Sequence, residues 1–238
     1  MNARPSPLDR LARSKPDPLT SVVLTIPVFL VYHLGVLLIE FRNGADLISG
    51  LTFQLLEASV PGYIGATLAV AAGLALSAYV QRRRGRVKPT ALGPILLESV
   101  GWALLMLVSV GWATAQLTAA LSLGEAMGPV DKIVMAAGAG FHEELVFRVG
   151  LLSGGVYLLQ RIRGTGVKTA WAVALIASSL IFSAVHHIGP MSDAFTLEVF
   201  AFRTLAGVYL AMVYALRGFA IVVYTHALYD ILVFFVFS

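Results

Sequence analysis

The chain has 238 residues, 58% of them hydrophobic and only 13% charged, with a mean hydropathy of +0.83. Soluble domains carry about 25% charged residues, so too few charges remain here to coat a globule in water, and the composition defines an integral membrane protein. Cysteine is absent, which excludes disulfides and thiolate-held metals. The formal net charge of +4 does not point to nucleic acid, because the basic residues sit between apolar blocks, where they set membrane topology.

In chain order, residues 1–18 form a polar, proline-containing segment. The apolar block that follows is long and lacks a small-residue cleavage site, so it reads as a first anchor rather than a removed signal peptide. Apolar blocks then predict spans over 19–40, 62–80, 92–121, 132–158, 170–188, 197–216 and 218–237. Strand-type alternation is missing, and blocks of about 20 apolar residues fit helices crossing a ~30 Å hydrocarbon core. The expected fold is an all-α, polytopic transmembrane helix bundle of seven spans. The amphipathic segment 47–60 is either an interfacial helix or part of an eighth. One membrane domain over 19–238 is the simplest division.

Arg4, Arg10, Arg13 and Lys15 precede the first span, and Arg82, Arg83, Arg84, Arg86 and Lys88 follow the second. Arg161, Arg163 and Lys168 follow the fourth, and Arg217 separates the sixth from the seventh. The positive-inside rule then places the N-terminus in the cytoplasm and the C-terminus outside, with a bacterial inner (plasma) membrane as the expected location.

Ionisable side chains within a span cost roughly 2.5–3.5 kcal/mol each on insertion scales, and persist where they pair, face a cavity or work. Three clusters stand out. FHEELVFR (141–148) opens like the zinc-protease pattern H-E-x-x-H but has Val146 where the second His would stand. Glu144 and Arg148 are i and i+4, Glu first, so they share a helix face and pair. Glu143 is turned about 100° away and needs a partner on another helix, or water. In FSAVH (182–186), Phe182 and His186 share a face while His187 lies about 100° round. In HALYD (226–230), His226 and Asp230 share a face, so the carboxylate is placed to orient the ring or raise its basicity.

Other polar residues carry plainer expectations. His33 and His142 read as hydrogen-bonded packing residues, and Glu98 as pocket wall or interfacial. Glu198 and Arg203 read as a helix pair, or as groups reaching different neighbours. From the residues alone two function classes stay open. One is a hydrolase whose base, water-holding groups and oxyanion donors converge from three helices. The other is a proton- or ion-coupled transporter using the same charges.

EELVFR (143–148), FSAVH (182–186) and HALYD (226–230), in that order and on hydrophobic helices, resemble the E-E-x-x-x-R, F-x-x-x-H and H-x-x-x-N/D motifs of the CAAX prenyl protease and bacteriocin-processing (CPBP) family, also called the Abi family. The resemblance covers roughly 92–237. It implies an intramembrane endopeptidase with a polar chamber among its C-terminal helices. Glu143 and His186 would activate water, His226 and Asp230 would line the oxyanion side, and Glu144 and Arg148 would support the site. The implied partners are membrane lipid and a membrane-associated protein or peptide substrate.

The family is described both as metalloproteases and as glutamate-dependent without catalytic metal. Zn²⁺ is therefore the cofactor to test, with Glu143, His186 and His226 as its ligands. Asp230 stands where the eukaryotic and archaeal type II endopeptidases have Asn. An ionised Asp cannot donate to an oxyanion, so Asp230 is expected to orient His226, to help hold a metal, or to act protonated. A non-catalytic scaffold or immunity protein on the same fold is the alternative. Convergence also carries a condition: His186 lies deeper in its span than His226 does in its own, which calls for tilt, a later start to the fifth span, or a kink.

Overall fold

The computed structural model describes residues 15–39, 43–46, 60–82, 88–113, 127–188, 192 and 194–236. These are helical, with no strand among the described residues. The long helices are α1 (Pro18–Gly35), α2 (Val60–Arg82), α3 (Leu92–Ala113), α4 (Pro129–Arg163), α5 (Val167–Val185), α6 (Leu197–Arg217) and α7 (Phe219–Val236). All but α2 are long and apolar enough to cross a membrane, and the apolar part of α2 is the shorter stretch Val60–Leu76. The expected helical membrane bundle is therefore what the chain forms. Boundaries differ: α1 ends at Gly35 rather than 40, and α4 runs past 132–158 at both ends. The amphipathic segment 47–59, the arginines at 83–86, and residues 1–14 and 114–121 lie outside the described residues.

Local chemistry explains where the helices begin and end. The Asp17 carboxylate caps α1, accepting from Leu19 N–H at 3.1 Å and Thr20 N–H at 3.0 Å, with Pro18 in the first turn. Asp131 reaches back to Gly128 N–H at 2.8 Å to start α4, again with a proline, Pro129, in the first turn. Thr196 Oγ1 accepts from Val199 N–H at 3.2 Å to start α6. Gly218 alone joins α6 to α7, and its φ of +84° is a conformation open to glycine.

The helix α7 is the hub. It packs on α1, α3, α4 and α6, and 61% of its 18-residue window is buried, against 22–44% in the other spans. Side-chain-to-backbone hydrogen bonds fasten it where no water competes. Tyr224 Oη donates to Leu24 O on α1 at 2.7 Å, and Ser99 Oγ on α3 donates to Ile221 O at 3.2 Å. Ser183 Oγ likewise donates from α5 to Phe200 O on α6 at 2.7 Å. Large apolar side chains such as Leu97, Trp112 and Leu197 face outward, as a lipid-facing surface requires.

Two features of α4 set up the polar interior. Its middle, Ala139–Glu143 and Leu145–Ser153, winds as π-helix, with i→i+5 bonds and a wider turn than the α-helix on either side. Its small residues permit close approach. A Cβ on Gly140 would sit 2.6 Å from Val223 O and 2.8 Å from Ala227 Cβ, and one on Gly138 would sit 2.5 Å from the Tyr32 ring. These glycines press α4 against α7 and α1, with Glu143, Glu144 and His142 carried into the contact.

Candidate active site

Helices α5 and α7 and the turn at 43–46 each bring a polar group to Glu143 on α4. His186 caps the C-terminus of α5, where its Nδ1 donates to Phe182 O at 2.6 Å and fixes the ring. Its Nε2 then points at Glu143 Oε2, 3.6 Å away. From α7, His226 Nε2 lies 4.0 Å from the same oxygen. The other Glu143 oxygen, Oε1, accepts from Asn43 Nδ2 at 2.7 Å. One carboxylate oxygen is thus anchored, and the other faces two imidazole nitrogens across gaps too long for direct hydrogen bonds and right for a bridging water.

Glu144 faces the other way and is fully buried, as is Arg148. Arg148 Nε lies 2.9 Å from Glu144 Oε2, the i, i+4 pair expected from the spacing. The guanidinium also lies over the Phe182 ring, Cζ 5.2 Å from its centroid. Glu144 Oε1 is 2.9 Å from His226 Nδ1, so the ring nitrogen donates to it.

Asp230 stands farther from the ring than Glu144 does. Its Oδ2 stays 3.8 Å from His226 Nε2, beyond hydrogen-bond range. The group that holds the His226 ring is Glu144, on a different helix. Asp230 lies instead in the field of Glu143, His186 and of Arg203 from α6, so Arg203 reaches a neighbouring helix, while Glu198 is exposed.

The depth condition is met without a later start to the fifth span. That helix begins at Val167, earlier than expected. Phe182, fifteen residues past that start, still packs against His226, seven residues past the start of α7, with ring centroids 6.2 Å apart. His187 turns away from Glu143, its ring 5.1 Å from that of Phe195 and 6.0 Å from that of Phe200.

The structure also assigns residues that sequence reasoning placed as packing or left out. Asn43, the donor to Glu143, sits in a polar turn with no motif around it. His142, read as a packing residue, meets His33 at 3.1 Å and Asp46 at 3.6 Å in a second buried cluster. The three residues among those described whose metal-binding atoms lie mutually within 4.8 Å are His33, Asp46 and His142, not the expected Glu143, His186 and His226. Glu98 pairs with Arg217 through both carboxylate oxygens, one contact being Nη2–Oε2 at 2.9 Å, and lines a cleft of about 390 Å³ near the start of α1.

A buried glutamate and two histidines, converging from three membrane helices, define the class: a polytopic membrane protein with a polar site inside its bundle. Residues 126–232 match the family model described as type II CAAX prenyl endopeptidase Rce1-like, a match that supports the CAAX protease family over this part of the chain. That family comprises CAAX-type membrane proteases, so the match points to intramembrane proteolysis in general terms. No curated protein and no solved structure matches the chain.

Proposed function

We propose that the chain is an intramembrane endopeptidase that hydrolyses a peptide bond of a membrane-associated protein or peptide, with a water held between Glu143 and His186 as nucleophile. The observation that carries this is the shared target of two imidazoles: His186 Nε2 and His226 Nε2 stand 3.6 and 4.0 Å from the one Glu143 oxygen that Asn43 does not hold. A water there donates one hydrogen to Glu143 Oε2 and the other to His186 Nε2, which leaves its lone pair for the substrate carbonyl. Glu143 takes the proton as the C–O bond forms, and returns it to the amine nitrogen as the C–N bond breaks.

His226 serves the oxyanion side. With Nδ1–H held by Glu144, its doubly protonated form presents Nε2–H to the developing charge. Among the described residues, Glu143, His186 and His226 do not form a group whose ligand atoms all lie within 4.8 Å of one another, so Glu143 is assigned as a base rather than a metal ligand. The basic loops support an N-terminus in the cytoplasm, with 19–238 working as one membrane domain.

The test is cleavage of membrane-anchored peptides by purified protein in liposomes, with paired prenylated and unprenylated substrates. Cleavage by the wild type and none by Glu143→Gln supports the reading. Proton-gradient-dependent flux of a solute, with no cleavage of any peptide, would defeat it in favour of a transporter.

A further inference from the structure

The hydrolytic site uses Glu143 and leaves the neighbouring His142 to a separate cluster. His33 on α1, Asp46 in the 43–46 turn and His142 on α4 bring their ligand atoms within 4.8 Å of one another. All three side chains are sealed from solvent, at 0–2% exposure. We propose that these residues bind a divalent transition-metal ion, Zn²⁺ by the chemistry of the donors, as a structural site behind Glu143.

Two imidazoles and a carboxylate are a donor set suited to Zn²⁺. Tetrahedral Zn²⁺ with bonds of about 2.0–2.1 Å holds its ligand atoms about 3.3 Å apart. The separations here are 3.1 Å between His33 Nε2 and His142 Nε2, and 3.6 Å between His142 Nε2 and Asp46 Oδ1. A fourth position is left for water.

The outer contacts fix the tautomer a metal needs at His142 and allow it at His33. His142 Nδ1 lies 3.3 Å from Gly138 O, so it carries the hydrogen and its Nε2 lone pair faces inward. His33 Nδ1 lies 2.5 Å from Tyr63 Oη, and donation to that oxygen turns the second Nε2 lone pair into the same space. In that tautomer two lone pairs face each other at 3.1 Å, and a cation between them converts the repulsion into two bonds. Metal-bound histidines use their other ring nitrogen in this way.

The ion would act on the hydrolytic site only through the backbone. Asp46 closes the turn through its N–H to Asn43 O at 3.1 Å, and Ala45 N–H donates to Asn43 Oδ1 at 2.8 Å. Asn43 in turn donates to Glu143. A metal on Asp46 therefore ties the turn to α1 and α4 and keeps Asn43 on the carboxylate. Chelators would then lower activity in an enzyme whose nucleophilic water touches no metal. The binding site itself does not depend on the protease reading.

The test is metal content per chain of the full-length protein after exposure to Zn²⁺ and removal of excess, together with the visible spectrum of the Co²⁺-loaded form. We expect about one tightly bound ion in the wild type. It should be retained in Glu143→Gln and His186→Ala and lost in His33→Ala, Asp46→Asn and His142→Ala. Tyr63→Phe should weaken binding about 10–100-fold. Should the histidine variants fail to fold, the wild-type Co²⁺ spectrum decides, with the intense visible bands of a tetrahedral site expected. A wild type that binds neither ion overturns the proposal and leaves a Tyr63–His33–His142 hydrogen-bond chain. An ion lost from Glu143→Gln and His186→Ala but kept in His33→Ala overturns it too, by moving the metal to the hydrolytic site.

Discussion

Glu143 and Glu144 are neighbours in the chain and opposites in their surroundings. Glu144 is sealed, with one oxygen on Arg148 and the other on His226. Glu143 is anchored at one oxygen by Asn43 and keeps the other turned toward two imidazoles across water-sized gaps. A carboxylate held between a guanidinium and an imidazole holds a structure together. One with a free oxygen in a polar space can exchange a proton. The same residue type, one position apart on one helix, is thus fixed as a strut on one side and left as a base on the other.

The sharpest way to break this contrast is to remove each charge and compare what is lost. Glu143→Gln should reduce peptide cleavage by about 10²–10⁴-fold, the usual contribution of a general base, with folded yield in detergent unchanged. Arg148→Ala should do the reverse, lowering stability by about 3–5 kcal/mol because Glu144 is left as an uncompensated buried charge. Thermal unfolding in detergent measures it, and the double variant Glu144→Gln/Arg148→Met should restore much of the folded yield. A stable Arg148→Ala would show that the strut is not one.

Smaller effects sharpen the assignment of His226 and its neighbours. Since Glu144 rather than Asp230 holds the ring, Asp230→Asn should keep cleavage within about tenfold of wild type, while Glu144→Gln, measured on its folded fraction, should lose more. The opposite ranking would return the orienting role to Asp230. His187→Ala should cleave nearly as well as wild type while His186→Ala fails. The reverse result would place the wrong ring beside Glu143. Least of all, Glu98→Ala should change stability by about 0–1 kcal/mol, because Glu98 is 30% exposed and its pair with Arg217 is partly solvated.

The helices were legible from composition because the membrane imposes a length and an apolar filling on each one. Pairs within one helix were legible where spacing alone decides them, as for Glu144 and Arg148. The same rule misled at His226. Spacing shows that Asp230 shares a face with it, but it is silent about what a facing helix offers, and Glu144 on α4 comes closer. Asn43 and Asp46 were invisible for a related reason. They lie in a short polar turn, about a hundred positions from Glu143 and His142, where polar residues are expected without any function. His33 and His142 looked like packing residues because each, taken singly, is one more polar group in a span. Only the approach of α1 to α4, permitted at Gly138, makes them a pair.

The π-helical winding of α4 has a consequence for how the chain tolerates change. A stretch held at i→i+5 packs more residues into each turn than an α-helix does, so register here depends on residue number as well as residue type. Deleting one residue between Leu145 and Ser153 with the winding kept would rotate everything beyond it by roughly a quarter turn relative to Glu143. Val156, now buried against α5 and α6, would swing outward toward lipid. Along this segment a conservative substitution is a small perturbation, whereas a codon lost or gained shifts the phase between the two halves of the helix.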